Sequence, residues 1–127
     1  MDYRCDHLHL RSRDAVSAAG FYVAAFAARE VRREGEPVSR VVIDLGGLPL
    51  FIEQAPEGLR PTAEPPHLGI EHIGLRVADL EAAMAEVAAR GIPVVSGITA
   101  VRPGLRVAFL EGPDSVRIEL LERTPVS

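Results

Sequence analysis

The sequence predicts an α+β fold in which a βαβββ module is used twice. The first observation behind this prediction is an internal repeat, because "HLHLRSRD" at residues 7–14 returns as "HIGLRVAD" at residues 72–79. The second is an Ile-Glu pair that recurs further along each half, in "LPLFIEQ" at 48–54 and "DSVRIEL" at 114–120. The two pairs of segments recur at nearly the same offset, which indicates two copies of one structural unit.

The third observation is the stretch between the halves, "PEGLRPTAEPP", whose repeated prolines are typical of a linker. The length of the chain is that of one domain. We therefore predict a single domain over 1–127, built of a module at 4–55, a linker at 56–67 and a second module at 68–123.

In the first module, alternating polar and apolar residues in "CDHLHLR" predict a strand. Asp14 is a typical N-cap residue for the helix that follows. Three further strands are predicted near 29–34, 38–45 and 48–54, with the glycines at 46–47 in a hairpin turn. The predicted buried face of the helix comprises Val16, Ala19, Gly20, Val23, Phe26 and Ala27.

The second module repeats this order. "IEHIGLRV" predicts the first strand, Asp79 the helix N-cap, and Gly91 a left-handed residue that ends the helix. Strands are predicted near 93–98, 105–110 and 115–121. The apolar stripe of the helix comprises Leu80, Ala83, Met84, Val87 and Ala88.

Charge and composition exclude several kinds of partner. The net charge of -4, with 14 basic residues scattered along the chain, gives no reason to expect a nucleic acid or an anionic membrane as partner. No apolar run approaches the length that spans a bilayer, and the amino terminus lacks the pattern of a secretory signal. Cys5 is the only cysteine, so no disulfide is expected within the chain. We expect a cytoplasmic protein.

Strand alternation places polar side chains on the sheet faces that are turned away from the helices. A carboxylate on an enclosed sheet face is costly unless it is paired or binds a metal. Two histidines and two glutamates together suit a divalent ion. The alternatives are that the histidines are ordinary strand residues and that the first glutamate pairs with Arg11 or Arg76. The four candidate residues are His7, Glu53, His72 and Glu119.

This arrangement resembles the vicinal oxygen chelate superfamily, which includes glyoxalase I, methylmalonyl-CoA epimerase, extradiol dioxygenases and the fosfomycin and bleomycin resistance proteins. "GFY" at 20–22 and "FLEGPDSVRIELLE" at 109–122 also resemble family segments. The resemblance implies curved mixed sheets around a metal cleft, a small-molecule substrate and a homodimer. It implies one divalent ion per site (Zn, Ni, Co, Mn or Fe), held by His7, Glu53, His72 and Glu119.

Glu53 decides which activity the resemblance implies. The dioxygenases and fosfomycin enzymes use three protein ligands, whereas glyoxalase I has an acid at this place. We therefore expect a metal-dependent lyase or isomerase of the glyoxalase I type, which shifts a proton next to a carbonyl with Glu53 or Glu119 as base. One alternative is an Fe(II) ring-cleaving dioxygenase on His7, His72 and Glu119. The other is a metal-free small-molecule binding protein of the bleomycin-resistance kind.

Five further residues are candidates for contacts with the substrate. His9 and Arg11 share the strand face of His7, and Phe51 shares that of Glu53. Arg76 repeats Arg11 in the second module. Arg102 lies in the "VRPG" loop, where glyoxalase I-like proteins often carry a basic residue.

Overall fold

The computed structural model describes residues 1–126, which form two compact units, one from Met1 to Arg60 and one from Pro61 onward. Each unit contains a four-stranded mixed sheet and one α-helix. The predicted α+β class and the repeated βαβββ order are therefore confirmed. The boundary between the units falls inside the stretch expected as a linker, and the assignment of both units to one domain stays a prediction. Neither described helix is long and apolar enough to cross a membrane.

The first unit contains β1 (Leu8–Ser12), α1 (Ala15–Phe26), β2 (Arg29–Glu34), β3 (Arg40–Leu45) and β4 (Leu48–Gln54). The strand order is β1-β4-β3-β2, with β1 parallel to β4 and the other pairs antiparallel. The Asp14 carboxylate accepts a hydrogen bond from the Ser17 backbone N–H at 3.0 Å, so the predicted N-cap is confirmed.

The buried face of α1 differs from the predicted one. The buried residues are Ala15, Ala18, Ala19 and Tyr22, whereas Val16 and Val23 are 37% and 40% exposed. The helix is apolar nearly all round, so hydrophobic periodicity does not select one side. Small alanines let α1 lie close to β3 and β4, and Tyr22, only 1% exposed, fills the remaining space.

The second unit contains β5 (Ile73–Arg76), α2 (Leu80–Ala89), β6 (Val94–Arg102), β7 (Leu105–Glu111) and β8 (Arg117–Arg123), with a short 3₁₀ turn at Pro113–Ser115. The strand order is β5-β8-β7-β6, with β5 parallel to β8. Asp79 accepts a hydrogen bond from Ala82 N–H at 3.0 Å, and Gly91 has a φ of 67° just beyond the helix. Both predicted ends of α2 are therefore confirmed, while β6 extends four residues beyond its predicted end.

Each sheet has an apolar face packed on its helix and a more polar face opposite. Leu50 and Ile52 of β4 and Leu110 and Ile118 of the second sheet have no exposed surface. Burying each of these side chains contributes about 1.5–3 kcal/mol to stability. In both sheets the first strand pairs with the last, which brings residues that are far apart in sequence side by side on the polar face.

Gly104→Ala is expected to lower the free energy of unfolding by about 1–3 kcal/mol. Gly104 has a φ of 83° in the β6–β7 turn, and an added Cβ would lie 2.6 Å from the Thr124 carbonyl oxygen. Gly20→Ala, at an open position in α1, is the control and is expected to be neutral or stabilising. Urea unfolding of both variants measures the difference. Equal stability of the two variants would contradict this account of the turn.

Candidate functional site

In the second unit, His72 and Glu119 lie together on the polar face. His72 directly precedes β5, and Glu119 is paired with Gly74 in the neighbouring strand β8. His72 Nε2 is 3.7 Å from Glu119 Oε2, and the Glu119 side chain is 18% exposed. Two ligands on a tetrahedral ion with bonds of about 2.0–2.2 Å lie roughly 3.4 Å apart. The spacing and the chemistry of these two donors therefore fit one divalent ion.

The other ring nitrogen of His72 is held by a carboxylate. His72 Nδ1 is 3.1 Å from Glu71 Oε1, and Arg117 lies 3.7 Å from the other oxygen of Glu71. The hydrogen bond with His72 lowers the pKa of Glu71, burial opposes this, and the charge of Arg117 lowers the pKa further. Metal-binding histidines commonly have such a carboxylate on the nitrogen that does not bind the metal.

His7 has the same partner arrangement in the first unit. It directly precedes β1, and its Nδ1 is 2.7 Å from Asp6 Oδ2. The acidic residue before each histidine is thus part of the repeat, in "DH" and "EH". The His7 ring also stacks on Phe51, with ring centroids 3.9 Å apart and planes 5° from parallel. Like His72, His7 therefore has its Nδ1 engaged by a carboxylate. The stacking on Phe51 also fixes the plane of the His7 ring.

The two glutamates do not occupy equivalent places in their sheets. The repeat matches His9 with Gly74, and these residues pair with Phe51 and Glu119 respectively. Phe51 therefore stands where Glu119 stands in the second unit. Glu53 lies two residues further along β4, opposite Arg11. The role of Glu53 as a metal ligand stays a prediction.

Glu53 already has two close partners in the first unit. Its carboxylate oxygens lie 3.1 Å from His9 Nε2 and 3.3 Å from Arg11 Nε. Burial raises the pKa of Glu53, but the hydrogen bond and charge of Arg11, with His9 beside it, outweigh burial and lower it. Pairing with Arg11 was the alternative for this residue, and the structure shows that contact.

Aromatic and aliphatic side chains line the polar face beside Glu119. Phe109 is the strand partner of Glu119, and its ring meets His72 edge-on at 5.3 Å. Phe109 packs against a small apolar cluster formed by Leu105, Val107 and Leu121. The sequence analysis did not predict this apolar surface, although alternation along β7 places Leu105, Val107 and Phe109 on the same side of the strand. Such a surface suits the carbon skeleton of a small ligand.

A family model described as the Glyoxalase/Bleomycin resistance protein/Dioxygenase superfamily matches residues 6–109. The chain belongs to this superfamily. The matched stretch includes His7, Glu53 and His72, and it ends before Glu119. No curated protein matches the chain.

Solved structures of this superfamily's fold are similar over almost the whole chain. The fosfomycin resistance protein FosX from Listeria monocytogenes is 17% identical, with a TM-score of 0.76 covering 98% of this chain and 96% of that chain. TioX from Micromonospora sp. ML1 is 18% identical, with a TM-score of 0.73 covering 94% and 99%. A glyoxalase/bleomycin resistance protein/dioxygenase from Alicyclobacillus acidocaldarius is 22% identical, with a TM-score of 0.71 covering 96% and 92%. At these identities the likeness shows the fold alone.

The two remaining candidates for contacts with the substrate lie at strand ends. Arg76 is the last residue of β5 and Arg102 the last of β6, and both are exposed. Within residues 1–126 neither forms an ion pair. Their proposed role in substrate binding stays a prediction.

A second group of carboxylates, at the start of α2 and on β8, has a structural role. Asp79, Glu81 and Glu122 have oxygens within 4.8 Å of one another. Arg106 binds Glu81 at 2.6 and 2.7 Å and Glu122 at 2.8 Å, and Glu122 also accepts from Leu80 N–H at 2.9 Å. The hydrogen bond from Arg106 lowers the pKa of Glu81, and those two carboxylates raise the pKa of Arg106. These contacts hold the start of α2 on the sheet and leave little capacity for a cation.

Proposed function

We propose that this chain is a metal-dependent enzyme that acts on a small substrate with neighbouring oxygen atoms. The observation that carries the proposal is the arrangement of the two repeated histidines. Each has a carboxylate on Nδ1, and the Nε2 of His72 lies 3.7 Å from Glu119. A histidine fixed in this way presents the lone pair of its other nitrogen to a metal.

The residues that would hold the ion are His7, His72 and Glu119. When bound, a divalent ion would supply Lewis-acid polarisation of the substrate oxygens. Zn, Ni, Co, Mn and Fe all accept this set of nitrogen and oxygen donors. Glu53 would become a fourth ligand only by giving up its contacts with Arg11 and His9.

The reaction we propose is a proton shift next to a carbonyl, as in a lyase or isomerase of the glyoxalase I type. The residues that would move the proton are His9 and Glu53, which lie 3.1 Å apart. Glu53 alone is a weak base, because Arg11 favours its ionised form. Paired with His9, it can orient the ring and stabilise the imidazolium that forms when His9 accepts the proton and that is lost when His9 returns the proton to the neighbouring carbon.

A ring-cleaving Fe(II) dioxygenase is the second candidate, and one observation favours it. Phe51, not an acid, stands at the position that matches Glu119. The remaining set of two histidines and one carboxylate is typical of non-haem Fe(II) oxygenases. In this reading Glu53 is only a wall residue.

Metal analysis of the purified protein, followed by two assays, tests the proposal. The first assay follows exchange of the α-proton with deuterated water in α-hydroxythioesters and in thiol adducts of α-ketoaldehydes. The second follows oxygen consumption with catechols. Bound metal with proton exchange supports the lyase or isomerase, bound Fe(II) with oxygen consumption supports the dioxygenase, and failure to bind any divalent ion contradicts both.

We also propose that the protein acts in the cytoplasm as a homodimer. All residues of β6 are exposed, and Val94, Val95, Ile98 and Val101 form an apolar edge strand. Exposed apolar edge strands tend to associate. Sedimentation velocity at micromolar concentration is expected to give the mass of a dimer. Sedimentation as a monomer throughout the micromolar range would contradict this prediction.

A further inference from the structure

Two arginines lie over the aromatic ring on which His7 stacks. In the first sheet, Arg32 pairs with Val42, and Val42 pairs with Phe51, so these side chains share the polar face. The guanidinium carbons of Arg32 and Arg40 are 5.7 and 5.3 Å from the centre of the Phe51 ring. An aromatic face holds a guanidinium group in place and leaves its edge free to donate hydrogen bonds.

Arg40 shares both of its neighbouring carboxylates with cations that lie closer to them. Its terminal nitrogens are 4.0 Å from Glu34 and 3.9 Å from Glu53, which is beyond hydrogen-bond length. Its Nε is buried and has no hydrogen-bond partner among residues 1–126. The side chain is only 31% exposed. Unsatisfied donors on a half-buried cation are costly, and such groups in native proteins call for an explanation.

The whole polar face of the first sheet carries an excess of positive charge. Arg29 pairs with Asp44 at one end, at 3.7 Å, and Arg32 donates to Glu34 at 2.9 Å. Glu53 is engaged by Arg11 and His9. Among residues 1–126, Arg40 is the arginine on this face whose two nearest carboxylates, Glu34 and Glu53, both have shorter contacts with other cations, in a chain whose net charge is -4. A local positive field of this kind favours an anionic ligand.

We propose that Arg40 and Arg32 bind an oxyanion, a carboxylate, phosphonate or phosphate group, that forms part of the substrate. The inference rests on the proposed function, because it takes this group to belong to the molecule that reaches the metal. The planar fork of a guanidinium matches two oxygens of such a group. Since Phe51 contacts both His7 and Arg40, the anion would lie about one ring's width from a candidate metal ligand. The substrate class is thus a small oxygen-chelating molecule with a separate anionic group.

Calorimetric titration with methylphosphonate, acetate and inorganic phosphate tests the site directly, on metal-depleted and metal-loaded protein. The parent protein is expected to bind at least one of these probes in both forms. Arg40→Gln is expected to weaken that binding at least tenfold, and Arg40→Lys, which keeps the charge but loses the fork, is expected to weaken it less. Arg33→Gln is the matched control, because Arg33 lies on β2 with its side chain on the opposite face and paired with Glu30.

Each outcome decides for or against the oxyanion site. Parental probe affinity in Arg40→Gln would overturn the oxyanion site. Equal losses of affinity in Arg40→Gln and Arg33→Gln would also overturn it, because they would show that binding depends only on the overall charge of the protein. Binding that requires metal and ignores Arg40 would place the anion elsewhere and would also overturn it. If the protein binds no divalent ion but Arg40 still controls probe binding, the oxyanion site stands and the proposed metal enzyme fails. The ranking of the three probes tells a carboxylate site from a phosphonate or phosphate site.

Discussion

His72→Ala is expected to abolish tight binding of a divalent ion by the purified protein. Residues that only support a metal ligand already change metal affinity about 10–100-fold when they are removed. Loss of the ligand itself should therefore cost more than this range. The measurement is a competition titration with a chromophoric chelator, using zinc and cobalt.

Two variants calibrate the His72 result. His67→Ala removes a histidine whose Nδ1 faces a backbone carbonyl at 3.0 Å, and it is expected to keep parental affinity. Glu71→Gln removes the carboxylate from Nδ1 of His72. Its metal affinity is expected to lie between those of His72→Ala and His67→Ala. If His72→Ala binds metal as tightly as His67→Ala, the ligand set is wrong.

The fold could be predicted because its main signals are local. Alternation defined most strands, and Asp14 and Asp79 marked both helix starts through a hydrogen bond that depends only on nearby residues. The buried face of α1 could not be predicted, because alanine fits either against a sheet or in solvent. The length of β6 was also missed, since its residues are exposed and its pairing with β7 is irregular.

The candidate site was only partly accessible to sequence reasoning. The repeat identified His7 and His72, and it contained the acidic residue before each, whose role at Nδ1 emerges only from the structure. The Ile-Glu repeat also suggested that Glu53 and Glu119 are equivalent. Strand register depends on pairing between segments distant in the chain, and it places Phe51, not Glu53, opposite His9. A shift of two residues keeps the side chain on the same face, so alternation cannot detect it.

This difference in register changes what Glu53 can do. A symmetric pair of glutamates would let either one bind metal and either one take a proton. In the structure, Glu53 instead contacts His9 and Arg11 on the first sheet, and Glu119 lies beside His72 on the second. The two carboxylates therefore have different partners, and separate measurements can distinguish their roles.

Glu53→Gln is expected to slow exchange of the substrate α-proton with deuterated water by about 10²–10⁴-fold, the range of a general base. An amide at this position can still contact His9, but it cannot stabilise the positive ring that forms when His9 takes the proton. Metal affinity should stay at the parental value, because His7, His72 and Glu119 are unchanged. A drop in metal affinity would instead make Glu53 a ligand.

Glu57→Gln removes an exposed carboxylate in the same unit and serves as the control, with parental exchange expected. His9→Gln should show a loss comparable to that of Glu53→Gln, because the two residues act as one pair. In a ring-cleaving dioxygenase Glu53 only lines the site, so Glu53→Gln would leave turnover nearly intact. Parental turnover in Glu53→Gln, together with oxygen consumption, would therefore exclude the proton-shift mechanism and establish the Fe(II) enzyme in its place.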